Sequence, residues 1–176
     1  MARLPDLQAD APGVDAALAQ RLLQRRGGRL LNLDKQLLHS PSLADGWNTY
    51  MGAVRGGTVL DGRLRELVIL LVALLNRAPY EFAQHAPVAR AEGTPQAQID
   101  ALAHWRESTL FDGRERDVLA YAEAMTLSVQ VAQPLFDAVR RHFSDRELVE
   151  LTATVASYNM VSRFLEALQI ETEPPP

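Results

Sequence analysis

Asp61-Gly-Arg-Leu64-Arg-Glu66-Leu-Val-Ile-Leu-Leu-Val-Ala-Leu-Leu75-Asn76 is the stretch that decides how this chain folds. Asp61 is placed to cap a helix over Arg63–Asn76, and from Leu67 to Leu75 that helix has no polar residue. A helix that is apolar all round must be buried all round, in a large core or at a subunit interface. The neighbouring segments are only modestly apolar, so the interface reading gains weight and a homo-oligomer is expected. The run is far short of the ~20 residues needed to cross a bilayer, so no membrane partner is expected.

Working outward, nearly every segment reads as helix and none shows sustained two-residue alternation. Val14–Arg26 precedes Gly27-Gly28, and a short segment follows over Leu30–Leu38. Ser40-Pro41 is a cap followed by a first-turn proline, opening a helix that ends near Gly56-Gly57. Downstream, Pro79 starts a helix to Glu92 that stops at Gly93, with Pro87 inside it expected to kink it or end its regular part. Thr94-Pro95, Asp112, Gln133-Pro134 and the capping box Ser144…Glu147 open the remaining helices. The expectation is an all-α fold: a single domain over residues 1–170 and a disordered proline-rich tail over 171–176.

Composition removes several chemistries. A net charge of -4 offers no basic face for nucleic acid. The N-terminus lacks an apolar secretion segment, which makes the cytoplasm the default compartment. There is no cysteine, so thiolate nucleophiles, disulfide relays and thiolate metal sites are excluded. Lysine occurs once, at Lys35, in a setting that looks like a solvated helix face and not the desolvated pocket a Schiff-base lysine needs. No metal ligand set is recognisable and no cofactor is expected.

The residues left for chemistry concentrate in Asn76-Arg-Ala-Pro-Tyr80-Glu81-Phe-Ala-Gln-His85-Ala-Pro-Val-Ala-Arg90. Glu81 and His85 stand four apart and project from one helix face. A carboxylate beside an imidazole fixes its tautomer and favours its protonated form, which suits proton transfer. The preceding helix should run antiparallel, and that puts Glu66 about one turn (~5.4 Å) from His85, within reach directly or through a water. Trp47, Tyr50, Tyr80, Tyr158 and Asn159 are weaker candidates for a pocket wall. Arg65, Arg77, Arg90 and Arg163 are candidates to hold a carboxylate through the guanidinium fork. His39, His104 and His142 lie outside any ligand spacing.

Leu64-Arg-Glu-Leu-Val-Ile-Leu-Leu-Val-Ala, then Tyr80-Glu-Phe-Ala-Gln-His and Ala89-Arg-Ala-Glu-Gly93, resemble the carboxymuconolactone decarboxylase family, which shares its fold with the alkylhydroperoxidase D-like proteins. The similarity extends to Ser157-Tyr-Asn-Met-Val-Ser-Arg-Phe-Leu-Glu-Ala-Leu. It implies a helical subunit assembled into trimers or hexamers. In the peroxidase branch a glutamate, a Cys-x-x-Cys pair and a histidine share the site. By spacing, Glu66 and His85 take the glutamate and histidine positions, while Ala78 and Glu81 stand where the thiols would be. Without thiols the peroxide-reducing relay cannot operate.

The resulting expectation is a cofactor-free acid–base enzyme, a decarboxylase or lyase acting on a small carboxylated lactone or oxo acid. His85 would exchange the proton, Glu81 orient it, Glu66 complete a relay, and an arginine such as Arg163 hold a retained carboxylate. A non-catalytic oligomeric ligand-binding protein and a lactone hydrolase using the same His–Glu pair are the alternatives.

Overall fold

The computed structural model describes residues 2–173, and among them every regular element is helical. The chain divides into two compact units. The first holds the residues up to Gly57 together with those from Leu165 onward; the second is Thr58–Phe164.

The first unit contains α1 (Ala16–Arg25), α2 (Asn32–Leu37) and α3 (Pro41–Gly56). Asp15 caps α1 by accepting from the Leu18 amide. Arg26 grips the buried Asp34 through Nε and Nη2, at 2.8 and 3.0 Å, which fixes the turn between α1 and α2. Lys35 is mostly shielded and bonds the Asn32 side chain, a correction to the solvated face expected of it. The supposed tail is also anchored: Glu173 accepts from the Asn32 amide and the Glu171 carbonyl from its side chain. Residues 174–176 of that expected tail lie outside the described residues.

The second unit contains α4 (Gly62–Leu75), α5 (Pro79–Ala91), α6 (Gln96–Ala101), a 3-10 turn at Leu102–His104, α7 (Gly113–Leu127), α8 (Gln133–Arg140) and most of α9 (Asp145–Leu168). Asp61 caps α4 as expected, accepting from the Leu64 amide. Leu67, Val68, Ile69, Leu70 and Val72 are fully shielded within one copy of the chain. Each such side chain contributes on the order of 1.5–3 kcal/mol by leaving water. Helix α4 packs on α5 and α7, so it finds its cover inside the subunit. Its apolar circumference therefore gives no ground for a subunit interface.

Both helices of the α4–α5 pair end in the same way. At the end of α5, the Gly93 amide bonds Arg90 and the Thr94 amide bonds Ala89, a Schellman closure with Gly93 at φ +92°. At the end of α4, the Arg77 amide bonds Leu74 and the Ala78 amide bonds Ala73, with Arg77 at φ +55° where glycine is favoured. Pro87 does not end α5, which continues to Ala91. Pro87 and Ala83, whose carbonyl it leaves unmatched, are both exposed, so solvent can meet that carbonyl. Pro95, not Thr94, is the residue that precedes α6.

At the start of α7, Asp112 and Glu115 form a reciprocal capping box. Glu115 is itself buried, meets Arg63 of α4 and accepts from Gln98 of α6. These bonds tie the starts of three helices together and hold the first turn of α4 in place. No described helix is long and apolar enough to cross a membrane.

Candidate active site

The first turn of α4 and the middle of α5 bring Glu66 and His85 together. His85 Nδ1 lies 2.7 Å from Glu66 Oε2, inside the chain. Glu66 is 1% exposed and His85 9%, so the pair has little competition from water. With Glu66 as acceptor, Nδ1 carries the hydrogen and Nε2 is left as the atom that exchanges a proton. Tyr158 of α9 stands edge-on to the imidazole, centroids 4.9 Å apart, and restricts its rotation.

The second oxygen of Glu66 is held as well. Arg65 Nε reaches Glu66 Oε1 at 3.1 Å, and Arg65 Nη2 reaches Glu92 Oε1 at 3.2 Å. Charges thus alternate from the half-exposed Glu92 through Arg65 to the buried Glu66, which meets the imidazole. Gly62 makes room for this chain, because a Cβ there would sit 2.2 Å from Glu92 Oε2.

Glu81, expected to orient His85, bonds Ser162 of α9. Glu66 takes the orienting bond to His85, and Glu81 Oε2 accepts from Ser162 Oγ at 2.9 Å. Glu81 is 1% exposed, so the site contains two buried carboxyl groups. Ala78, at the other thiol-equivalent position, is buried as well.

The remaining candidates disperse. Tyr80 is buried on α5 and Tyr158 meets His85, but Asn159 is a structural link. Its side chain accepts from Asn76 at the end of α4 and donates to Thr126 of α7. Arg163 donates to the carbonyl and side-chain oxygens of Asn159, so it is engaged on its own helix. Trp47 and Tyr50 belong to α3 in the other unit, the former buried and the latter half exposed. Among the other histidines, His39 bonds the Pro5 carbonyl and His142 bonds Asp117. No group of three potential metal ligands occurs among the described residues.

One contributor escaped the sequence reading, and another, Arg65, was named for a substrate carboxylate and not for Glu66. Ser162 lies 81 residues from Glu81, on a helix whose facing side has no local sequence signal. The clamp on Glu66 by Arg65 was equally hidden, since adjacent residues on a helix do not usually face each other.

Residues 41–124 match the family model described as the Carboxymuconolactone decarboxylase family. The uncharacterized protein YnjA of Escherichia coli (strain K12) is 38% identical over 74 residues, 42% of this chain and 41% of YnjA. The match thus spans about two fifths of that relative's length. Among solved structures, an uncharacterized peroxidase-related protein from Ralstonia eutropha JMP134, described as an alkylhydroperoxidase AhpD core, superposes with a TM-score of 0.84. It is 21% identical, over 98% of this chain and 92% of that one. The debrominase Bmp8 in complex with 2,3,4-tribromopyrrole gives a TM-score of 0.80 at 20% identity, over 98% and 94%. At these identities the likeness is one of fold.

Proposed function

We propose that this chain, whose residues 41–124 match the carboxymuconolactone decarboxylase family model, is a cofactor-free acid–base enzyme. The reaction in this reading is decarboxylation of a small carboxylated lactone or related oxo acid. The observation that carries it is the buried 2.7 Å contact between His85 Nδ1 and Glu66 Oε2.

In this mechanism the substrate carboxylate leaves as carbon dioxide. The electron pair of the broken carbon–carbon bond passes into the adjacent carbonyl, giving an enolate. Protonated His85 then delivers its Nε2 proton to carbon, while Nδ1–H stays on Glu66. Glu66 stabilises the imidazolium and Arg65 holds Glu66 in position. Glu81 supplies a second buried carboxyl one helical turn before His85, where a thiol would sit in the peroxidase branch. Thiol-dependent peroxide reduction is excluded by the absence of cysteine. Assembly into a trimer or hexamer is part of the proposal, resting on the family resemblance alone; light scattering of the purified chain tests it.

The test is carbon dioxide release from carboxymuconolactone by the wild type and His85→Gln. The wild type is expected to release it and the variant to lose at least roughly a hundredfold in rate, the usual scale of one acid–base group. Equal rates would rule out His85 as the proton carrier. Ring opening without carbon dioxide would make the protein a lactone hydrolase.

A further inference from the structure

Four arginines were candidates to hold a carboxylate, and the structure engages three of them. Arg65 is tied to Glu66 and Glu92, Arg90 to Gln96, and Arg163 to Asn159. Arg77 differs: among the described residues no hydrogen bond or ion pair engages its side chain. It occupies the left-handed C′ position of α4, at φ +55°, where a glycine would carry no steric cost. The backbone closure there uses only the Arg77 and Ala78 amides, so the guanidinium has no part in ending the helix.

Arg77 also lines a cavity of about 390 Å³ at the α4–α5 turn. Leu74, Ala78, Pro79 and Phe82 supply apolar walls, and Arg77 is the single charged residue lining it. The volume is within the range of small-molecule sites, which are largely apolar with a few polar groups that orient the ligand. The cavity also includes the first residues of α5, whose positive dipole end favours an anion.

We propose that this cavity binds a small apolar monocarboxylate, its hydrocarbon body against Leu74 and Phe82 and its carboxylate on the Arg77 guanidinium. An unpaired cation beside apolar walls selects an acid with a hydrophobic body over a neutral or cationic analogue. The binding claim stands on the cavity and the cation. It is independent of the reading of His85, which does not line this cavity; titration reads the one and turnover of His85→Gln the other.

The probe is 3-phenylpropanoate, with its neutral amide as control, titrated into the full chain and followed by amide NMR shifts. The acid is expected to give saturable shifts over residues 73–83, and the amide to bind roughly tenfold or more weakly. Arg77→Gln should lose the preference for the acid. Arg77→Gly should lose it too, while its thermal midpoint is equal or higher, because glycine suits φ +55°. That second variant separates loss of the cation from loss of the fold. Equal affinity for acid and amide, an acid preference that survives in Arg77→Gly, or no saturable shift in this segment would each overturn the proposal.

Discussion

His85 and Glu66 are nineteen residues apart in the chain, yet Nδ1 and Oε2 meet at 2.7 Å in a nearly dry site. The α4–α5 turn produces this juxtaposition by folding the middle of α5 back onto the first turn of α4. An imidazole held at one nitrogen by a buried carboxylate presents its other nitrogen to a reactant in a single tautomer.

Replacing Glu66 by Ala would leave the buried imidazole without its acceptor and the Arg65 guanidinium without one of its two partners. A loss of about 1–3 kcal/mol in unfolding free energy is expected from the unmatched groups. Urea denaturation followed by circular dichroism measures it. A change below a few tenths would show that the pair is not held as described.

Arg65 is 11% exposed and bridges two carboxylates. Removing one partner of a mostly buried pair leaves the other uncompensated, so Arg65→Ala is expected to cost roughly 3 kcal/mol. Arg65→Lys should recover only part of this, because one ammonium does not reproduce the fork that spans Glu66 and Glu92. Paired denaturation curves of the two variants make the comparison.

Gly62→Ala puts a Cβ where Glu92 Oε2 now lies. The obstructing atom is the end of a flexible, 42% exposed side chain, so Glu92 should swing away at a cost under about 1 kcal/mol. In the Glu92→Ala background the same change meets no carboxylate. There it should raise stability by up to about 1 kcal/mol through helix propensity. A double-mutant cycle in urea reads both values.

At the start of α9, the Ser144 amide and then its hydroxyl hold Glu147 below the ordinary 4.5, with Arg114 adding to this and desolvation opposing it. A carboxyl lowered in the folded state stabilises above its unfolded value and loses that contribution as pH falls through the folded one. The stability deficit of Ser144→Ala, which loses the hydroxyl, should therefore be full above about pH 4.5 and shrink on further acidification. Thermal midpoints of both proteins between pH 7 and pH 3 check this; a deficit constant across the range would contradict it.

Arg77→Gly relieves a left-handed arginine and should stabilise by about 0.5–1 kcal/mol. Chemical denaturation checks this apart from any ligand.

The sequence by itself determined the helices and supplied the candidate groups His85, Glu66 and Glu81. Asp61, Asp112 and Ser144 mark helix starts because a short side-chain oxygen can reach an amide within its own first turn. Gly93 marks a stop because its backbone tolerates positive φ. These are interactions within a few residues, legible in the sequence directly, as the absence of cysteine is legible in the composition; that Ala78 and Glu81 stand at thiol positions is what the family resemblance implies. Pro87 shows the limit, since its local rule predicts a break and the exposed face it occupies allows the helix to continue.

Tertiary structure alone decided who partners whom. Glu81 and Glu66 were both within reach of His85 on helical geometry. The packing of α4 on α5 gave the imidazole to Glu66, and α9 gave Ser162 to Glu81. Likewise α5 and α7 cover the apolar circumference of α4 within one subunit, where its sequence had pointed outward to a partner. Such choices depend on the direction in which a side chain leaves one helix and the distance to another far along the chain. Neither quantity is set by the residues adjacent in sequence.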